Sequence, residues 1–344
     1  MMVMIGVDPH KGSHTAVAID AGEEVMGQLR VRSGRRQVEQ FVGWADGLGD
    51  KRVWAVEAAG GLGYLLSQQL VAAGETVLDV PATLASRVRV LSTGKSAKND
   101  PNDARSVAVA ALRAPALAEV HREDHATVLR LLAKRHSDLG RLSTICANRL
   151  HALLCELVPG GLAKEMSPLK ARAVLARSRP EGAPALERYR LAVDVLEDFV
   201  RLEGQLKASK RHLQAAVTAS GSAMIDLYGV GPYVAAAVIG YSGDINRFRD
   251  RHHFAAYNGT APIEMSSGGR TRHRLSRRGN RRINHAIHIV AVVQIRQPHS
   301  AGRAYYDRKR AEGKTAKEAI RALKRRISDV LYRQLVEDHR RASR

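Results

Sequence analysis

Apolar positions near the start of the chain fall in two short runs. Val3-Met4-Ile5-Gly6-Val7 closes on Asp8, and His14-Thr15-Ala16-Val17-Ala18-Ile19 closes on Asp20, with Pro9-His10-Lys11-Gly12-Ser13 between them. Continuous apolar runs of this length, bounded by turn residues, predict buried strands. Strand patterns recur at 24–32, 52–57 and 76–80, and helical ones at 35–48, 62–73, 82–92 and 100–113. Three strands followed by alternating helix and strand predict an α/β unit, a mixed sheet with helices packed on it.

Near residue 122 the period changes. Val128, Leu131, Leu132, Leu139, Leu142, Ile145, Leu150, Leu153 and Leu157 repeat spacings of three and four, which predicts a long amphipathic helix ended by Pro159-Gly160-Gly161. After a weakly periodic stretch containing Pro168, Pro180 and Pro184, a second long helix is predicted over 186–219. Two such helices suggest an antiparallel hairpin or a coiled coil to a second subunit, with an ordinary helical subdomain as the plain alternative. Leu227-Tyr228-Gly229-Val230-Gly231-Pro232 then precedes the apolar run 233–239. Two helices joined by such a turn would form a helix-hairpin-helix, in which Gly229 and Gly231 let backbone amides approach a phosphate. Turns of this kind are also common between ordinary helices. A flexible Ser266-Ser267-Gly268-Gly269 and helices at 283–297 and 315–337 complete a mainly helical end. The expected domains are 1–120, 121–220 and 221–344.

Charge adds a partner to this picture. Lys and Arg number 55 against 34 Asp and Glu among 344 residues, a formal charge of +21. Such an excess predicts a polyanion, either nucleic acid or an anionic membrane surface. No apolar run reaches the ~18 residues that span a bilayer, and the start lacks a signal-peptide pattern, so nucleic acid is favoured. The two cysteines, Cys146 and Cys155, show no ligand-type pairing, which fits a reduced, cytoplasmic setting.

Two constellations carry candidate chemistry. Asp8 and Glu57 each close an apolar strand, and Asp100 and Asp103 lie three apart near a helix start, with Pro101 suited to the first turn. Four gathered carboxylates would repel unless cations neutralise them, and hard Mg²⁺ or Mn²⁺ would do so, two ions serving the attacking and leaving oxygens of a phosphodiester. Taken singly, Asp100 or Asp103 reads as a helix cap and Glu57 as a solvated strand end. The second constellation is Ser266-Ser267-Gly268-Gly269 beside Arg270, Arg272, Arg274, Arg277, Arg278, Arg281 and Arg282. A serine hydroxyl there could attack a phosphate that guanidinium groups hold. The residues by themselves favour a polar loop ahead of a backbone-binding basic segment. Nothing in the chain specifies bases.

In their order these residues resemble the DEDD transposases of bacterial insertion sequences, relatives of the Piv site-specific invertases. The matches are Gly6-Val7-Asp8 with Lys11, Val56-Glu57, and Lys98-x-Asp100-x-x-Asp103-Ala104. Further on they are Gly229-Val230-Gly231-Pro232, Gly243-Asp244-Ile245-x-Arg247-Phe248, Ala256-Tyr257-x-Gly259-x-Ala261-Pro262, Ser267-Gly268 and Arg278-Gly279-Asn280-Arg281-Arg282. The resemblance spans almost the whole chain. It implies a ribonuclease-H-like, RuvC-like first domain, a coiled-coil insertion and a C-terminal transposase domain. It implies that Asp8, Glu57, Asp100 and Asp103 bind Mg²⁺ or Mn²⁺ and that a C-terminal serine is the nucleophile, Ser267 with Ser266 as adjacent competitor. Lys11, Gly229, Gly231 and the seven arginines are the expected nucleic-acid contacts. The family further implies DNA cutting and rejoining, a structured guide RNA from the element's own noncoding end, dimers and tetramers around two DNAs, and a place in the bacterial cytoplasm at the nucleoid. One departure stands out: the turn after Asp8 is Pro9-His10-Lys11, where relatives carry small or branched residues.

Three other readings compete. A metal-dependent RuvC-like nuclease would need the carboxylates but form no covalent intermediate. An actin-like ATPase would also open on Gly-Val-Asp, but a second Asp-x-Gly phosphate loop is missing. A non-catalytic nucleic-acid-binding protein would tolerate loss of the acids.

Overall fold

The computed structural model describes residues 2–49, 51–93, 99–159, 162, 166–267, 270–275 and 279–343, with the backbone alone at 92–93, 264–267 and 270–275. The chain forms two compact units, Met1–Glu123 and Asp124–Arg344.

The first unit runs β1 (Val3–Pro9), β2 (Ser13–Ile19), β3 (Val25–Arg32), α1 (Gln37–Asp46), β4 (Arg52–Glu57), α2 (Tyr64–Ala72), β5 (Val77–Val80), α3 (Ala82–Thr93), α4 (Asp100–Arg113) and β6 (Ala118–Glu119). Strand order in the sheet is β3-β2-β1-β4-β5-β6. β1 pairs antiparallel with β2 and parallel with β4, and β4 is parallel to β5. Only the two-residue β6 was not expected, since two residues carry no period. β1 is buried along its whole length because both faces of the sheet are covered. Val3, Ile5, Val7, Trp54 and Val56 pack with Phe41, Leu66 and Leu70 on one face. Met4, Val17, Ile19 and Ala55 meet Ala104, Val107, Ala108 and Ala111 of α4 on the other.

Gly6 fixes how closely α4 approaches. A Cβ at that position would lie 2.1 Å from the Ala104 carbonyl oxygen and 2.4 Å from Ala108 N. The helix backbone therefore rests directly on β1, one pleat before Asp8.

In the second unit come α5 (His125–Cys155), α6 (Pro168–Arg177), α7 (Ala183–Ala219), α8 (Pro232–Ser242), α9 (Arg251–Tyr257), the hairpin β7 (Pro262–Ser267) and β8 (Arg270–Leu275), α10 (Arg281–Arg296), α11 (Ala301–Ala311) and α12 (Ala316–Ala342). α5 and α7 run antiparallel against each other within the chain. His125 bonds the Ala216 carbonyl at 2.7 Å, His136 meets Ser209 at 3.2 Å, and Ser143 donates to Glu203 at 2.8 Å, so the partner numbers fall as the residue numbers rise. Leu129 and Ala133 of α5 and Leu213 and Val217 of α7 share one core with Val234, Ile287, Ile327 and Leu331. The expected division near residue 220 thus falls inside this unit.

Several expectations are corrected here. The proline-bearing stretch before 184 holds a helix, α6, because Ser167 caps it and Pro168 occupies its first turn, where no backbone N–H is needed. One turn of 3-10 helix at Ala223–Asp226, not an α-helix, precedes the Gly229-Val230-Gly231 turn. Ser266 and Ser267 belong to strand β7 rather than to a flexible stretch, with Ser267 opposite Arg270. Gly268 and Gly269 lie outside the described residues. α11 was unforeseen because it is short and strongly polar, and Gly302 is its one buried residue.

Candidate active site

Parallel pairing of β1 and β4 brings two carboxylates to one sheet edge. Val7 is level with Val56, so Asp8 and Glu57 follow side by side where the strands end. Alternation then puts both on the face shared by Met4, Gly6 and Ala55, the face covered by α4. Asp100 and Asp103 enter from the first turn of that helix. Asn99 caps α4, its side chain accepting from Asn102 N at 2.9 Å, and Pro101 lies in the first turn as expected. Neither aspartate is spent on capping, so both are left to face the sheet end.

One non-glycine residue next to this edge holds an uncommon backbone conformation. Ala58, directly after Glu57, has φ +48°, with its N–H bonded to the Val80 carbonyl at 2.9 Å. Ala59 N–H donates to Asp79 Oδ1 at 2.8 Å. The left-handed turn ends β4 abruptly at Glu57, a strain of the kind found at working sites.

Asp8 and Asp103 are each 7 % exposed. Burial, above all, pushes the Asp8 carboxyl up to about 6; the charges of Glu57, Asp103 and Asp100 push the same way, and His10 opposes them. Asp8, His10 and Asp100 offer ligand atoms that all lie within 4.8 Å of one another. His10 Nδ1 is 3.7 Å from Asp8 and its Nε2 4.0 Å from Asp100. Two arginines complete the surroundings: Arg89 donates to Asp103 at 2.5 Å, and Arg30 lies 3.5 Å from Asp100. Thr15, level with Asp8 across the β1–β2 pair, has a buried Oγ1 with no hydrogen-bond partner among the described residues. Clustered carboxylates, one of them resisting ionisation, and an orphaned hydroxyl are the donors a hard divalent cation takes.

His10, Arg30 and Arg89 escaped the sequence reading. His10 was visible only as a departure from the family pattern. Arg30 and Arg89 sit on β3 and α3 with no local pattern to mark them, because only the tertiary packing of those elements brings them to the acids. Lys11 is exposed in the β1–β2 turn.

In the second unit the hairpin carrying Ser267 stands on a clamped foot. Asn280 N–H donates to the Tyr257 carbonyl at 2.6 Å and its side chain to the Tyr257 hydroxyl at 3.0 Å. Gly279, at φ +103°, allows this, since a Cβ there would be 2.7 Å from the same carbonyl. Asn258, fully buried, accepts at Oδ1 from Thr260 N–H (3.1 Å) and Oγ1 (2.7 Å) and donates to Ser328 at 2.8 Å. Asn284 donates to the Asn258 carbonyl at 2.8 Å. Of the basic run, Arg270, Arg272 and Arg274 lie on β8, and their side chains, like those of Ser266 and Ser267, lie outside the described residues, as do Arg277 and Arg278 entirely. Arg281 and Arg282 begin α10, with Arg282 donating to Ser137 at 2.8 Å. Gly229 takes φ +85° against Val290 and Val293, and Gly231 precedes Pro232 at the start of α8.

Two family models match the chain in this same order. A DEDD model described as "Transposase" matches residues 5–159, and one described as "Transposase IS116/IS110/IS902 family" matches residues 222–307. The chain belongs to the IS116/IS110/IS902 transposase family. The first match contains all four acids, the second the hairpin and its arginines. The transposase is 27% identical to an uncharacterized 44.8 kDa protein of insertion element IS116 from Streptomyces clavuligerus, over 97% of this chain and 94% of the relative. It is also 27% identical to a 42 kDa protein of element IS900 from Mycobacterium paratuberculosis, over 98% and 96%. A probable family 20 transposase of Pseudomonas aeruginosa is 28% identical over 80% and 79%. It is an enzyme, a DNA transposase. No helix among the described residues is long and apolar enough to cross a membrane.

Proposed function

We propose that this transposase cuts and rejoins DNA with Ser267 as nucleophile and Asp8, Glu57, Asp100 and Asp103 as ligands of Mg²⁺ or Mn²⁺. The observation that carries the reading is the convergence of the acids of β1, β4 and α4, with Asp8 held near 6 by burial and by its three acidic neighbours. The order 3-2-1-4-5 of the first five strands, with β2 the one among them antiparallel to β1, supports a ribonuclease-H-like, RuvC-like unit, to which the two-residue β6 adds an antiparallel edge. A divalent ion there would supply charge to the developing phosphorane and to the departing oxygen.

The chain's own residues do the rest. The Ser267 hydroxyl oxygen bonds to phosphorus, and the bond from phosphorus to one deoxyribose oxygen breaks. The serine proton goes to solvent or a nearby base, and the departing oxygen gains one. Attack by a deoxyribose hydroxyl of a second end on the phosphoserine reverses the sequence and frees Ser267, so bond energy is conserved. Arginines of β8 and α10 hold the phosphate, and Ser266 is the alternative nucleophile. His10 and Arg30 screen Asp100 and Arg89 screens Asp103 until the ion binds. A structured RNA of the element would supply the base reading that the chain itself lacks. The α5–α7 pair and the Gly229-Val230-Gly231 turn would serve assembly as dimers and tetramers and grip on backbone phosphate, in the cytoplasm at the nucleoid.

Denaturing gels of transposase mixed with labelled element-end DNA and Mg²⁺ test this. A protein–DNA adduct should form with wild type, vanish with Ser267→Ala and survive Ser266→Ala. The reverse pattern moves the nucleophile to Ser266. Cleavage without any adduct in wild type would favour the water-dependent RuvC-like nuclease instead.

A further inference from the structure

At the foot of the Ser267 hairpin lies a cavity of about 450 Å³, between the turn leading into β7 and helix α12. Gly259, Thr260, Pro262, Lys314, Arg321 and Lys324 line it. Two acids also line it, and both have partners: Glu318 closes the capping box of α12 with Thr315, and Asp329 pairs with Arg325, which lies on the same wall. Lys324, one of the lining residues, is half-buried. Its ammonium donates to Asn284 Oδ1 at 2.7 Å, and among the described side chains no carboxylate forms an ion pair with it.

We propose that this cavity seats one phosphate of a nucleic-acid strand, with Lys324 as its main cation and Lys314 and Arg321 contributing charge from the same wall. The chemistry recognised is a phosphodiester, common to DNA and RNA. Burial, with Arg281 nearby, brings the Lys324 ammonium down to about 8, which marks a cation lacking a counter-charge. An anion seated there would supply it. The contact has a structural consequence. Lys324 holds Asn284, Asn284 holds the Asn258 carbonyl, and Asn258 opens the turn into β7. A phosphate on Lys324 would thus fix the strand at a set distance from the hairpin root.

This inference rests on the nucleic-acid partner of the proposed function but not on its acids or its serine. The test is equilibrium binding of the full chain in EDTA, where no cleavage occurs, to a labelled duplex DNA and to a labelled single-stranded RNA, across a salt series. Lys324→Met should weaken binding to one or both polymers about tenfold and lower the slope of log affinity against log salt by about one ion. The polymer affected identifies the strand. Lys324→Arg should keep the slope. Lys317→Met, an equal charge loss at an exposed position of the same helix, should stay near wild type. Thermal melting of each variant separates lost contact from lost fold. Equal effects of Lys324→Met and Lys317→Met, an unchanged slope, or wild type that binds neither polymer would overturn the proposal. The adduct test runs with intact Lys324, so either idea can fail alone.

Discussion

Replacing Asp8 with Asn should stabilise the metal-free protein while destroying its chemistry. The Asp8 carboxyl sits at about 6 in the fold against 3.8 when free. That difference of roughly two units corresponds to about 3 kcal/mol at roughly 1.4 kcal/mol per unit. The sign follows from the direction. Because the folded pKa is the higher one, the native state keeps a proton that the unfolded chain has already released. The stabilisation is complete below the free value and is lost as pH rises through the window from about 4 to 6. Asparagine carries no charge at any pH and escapes this loss. In EDTA at pH 8, Asp8→Asn should raise the melting midpoint by several degrees, with the advantage shrinking below pH 6. Added Mg²⁺ should raise the midpoint of wild type and leave that of the variant where it was. Scanning calorimetry over a pH series, with and without Mg²⁺, measures all of this. A variant that melts at or below wild type in EDTA at pH 8 would show that Asp8 does not bear the strain assigned to it.

Two further substitutions probe the frame around the site. Gly6→Ala forces a methyl into the α4 backbone, 2.1 Å from the Ala104 carbonyl oxygen, and should cost about 1–3 kcal/mol or more in urea unfolding. An unchanged unfolding midpoint would mean that the helix can retreat freely from β1. Arg52→Met should cost about 3–5 kcal/mol at pH 7, since it strands Glu75, which Arg52 holds at 2.9 and 2.5 Å in a pair only 12% and 10% exposed. The Arg52 hydrogen bond, ahead of one from Trp54, keeps Glu75 below the usual carboxylate range, so this stabilisation is present above pH 4.5 and fades as pH falls. Melting of wild type and variant should therefore converge in acid, and a gap that persists there would refute the assignment.

The acid cluster shows how far local pattern reaches. Asp8 and Glu57 were legible because each ends an apolar strand, and a strand's end is written in its own residues. The first turn of α4 was legible from Pro101, although its true cap, Asn99, went unnoticed. The serine hairpin was not legible: its alternation of arginine with Thr271 and His273 looks polar on both faces, and a two-stranded ribbon buries too little to leave a hydrophobic period. α6 was missed for a related reason, its proline starting a helix instead of breaking one.

The sequence by itself determined strands β1 to β5, the long helices, the positive charge and the identity of the four acids, because each depends on residues close together in the chain. Only the tertiary structure decided that β1 and β4 lie parallel and adjacent, that Gly6 lets α4 down onto the sheet, and that Arg30, Arg89 and His10 share the acids' corner. Those facts depend on pairs of residues far apart in the chain, whose contact is set by packing and not by period. The same holds for Lys324, an ordinary helical lysine until folding sets it beneath the turn that carries the serine strand.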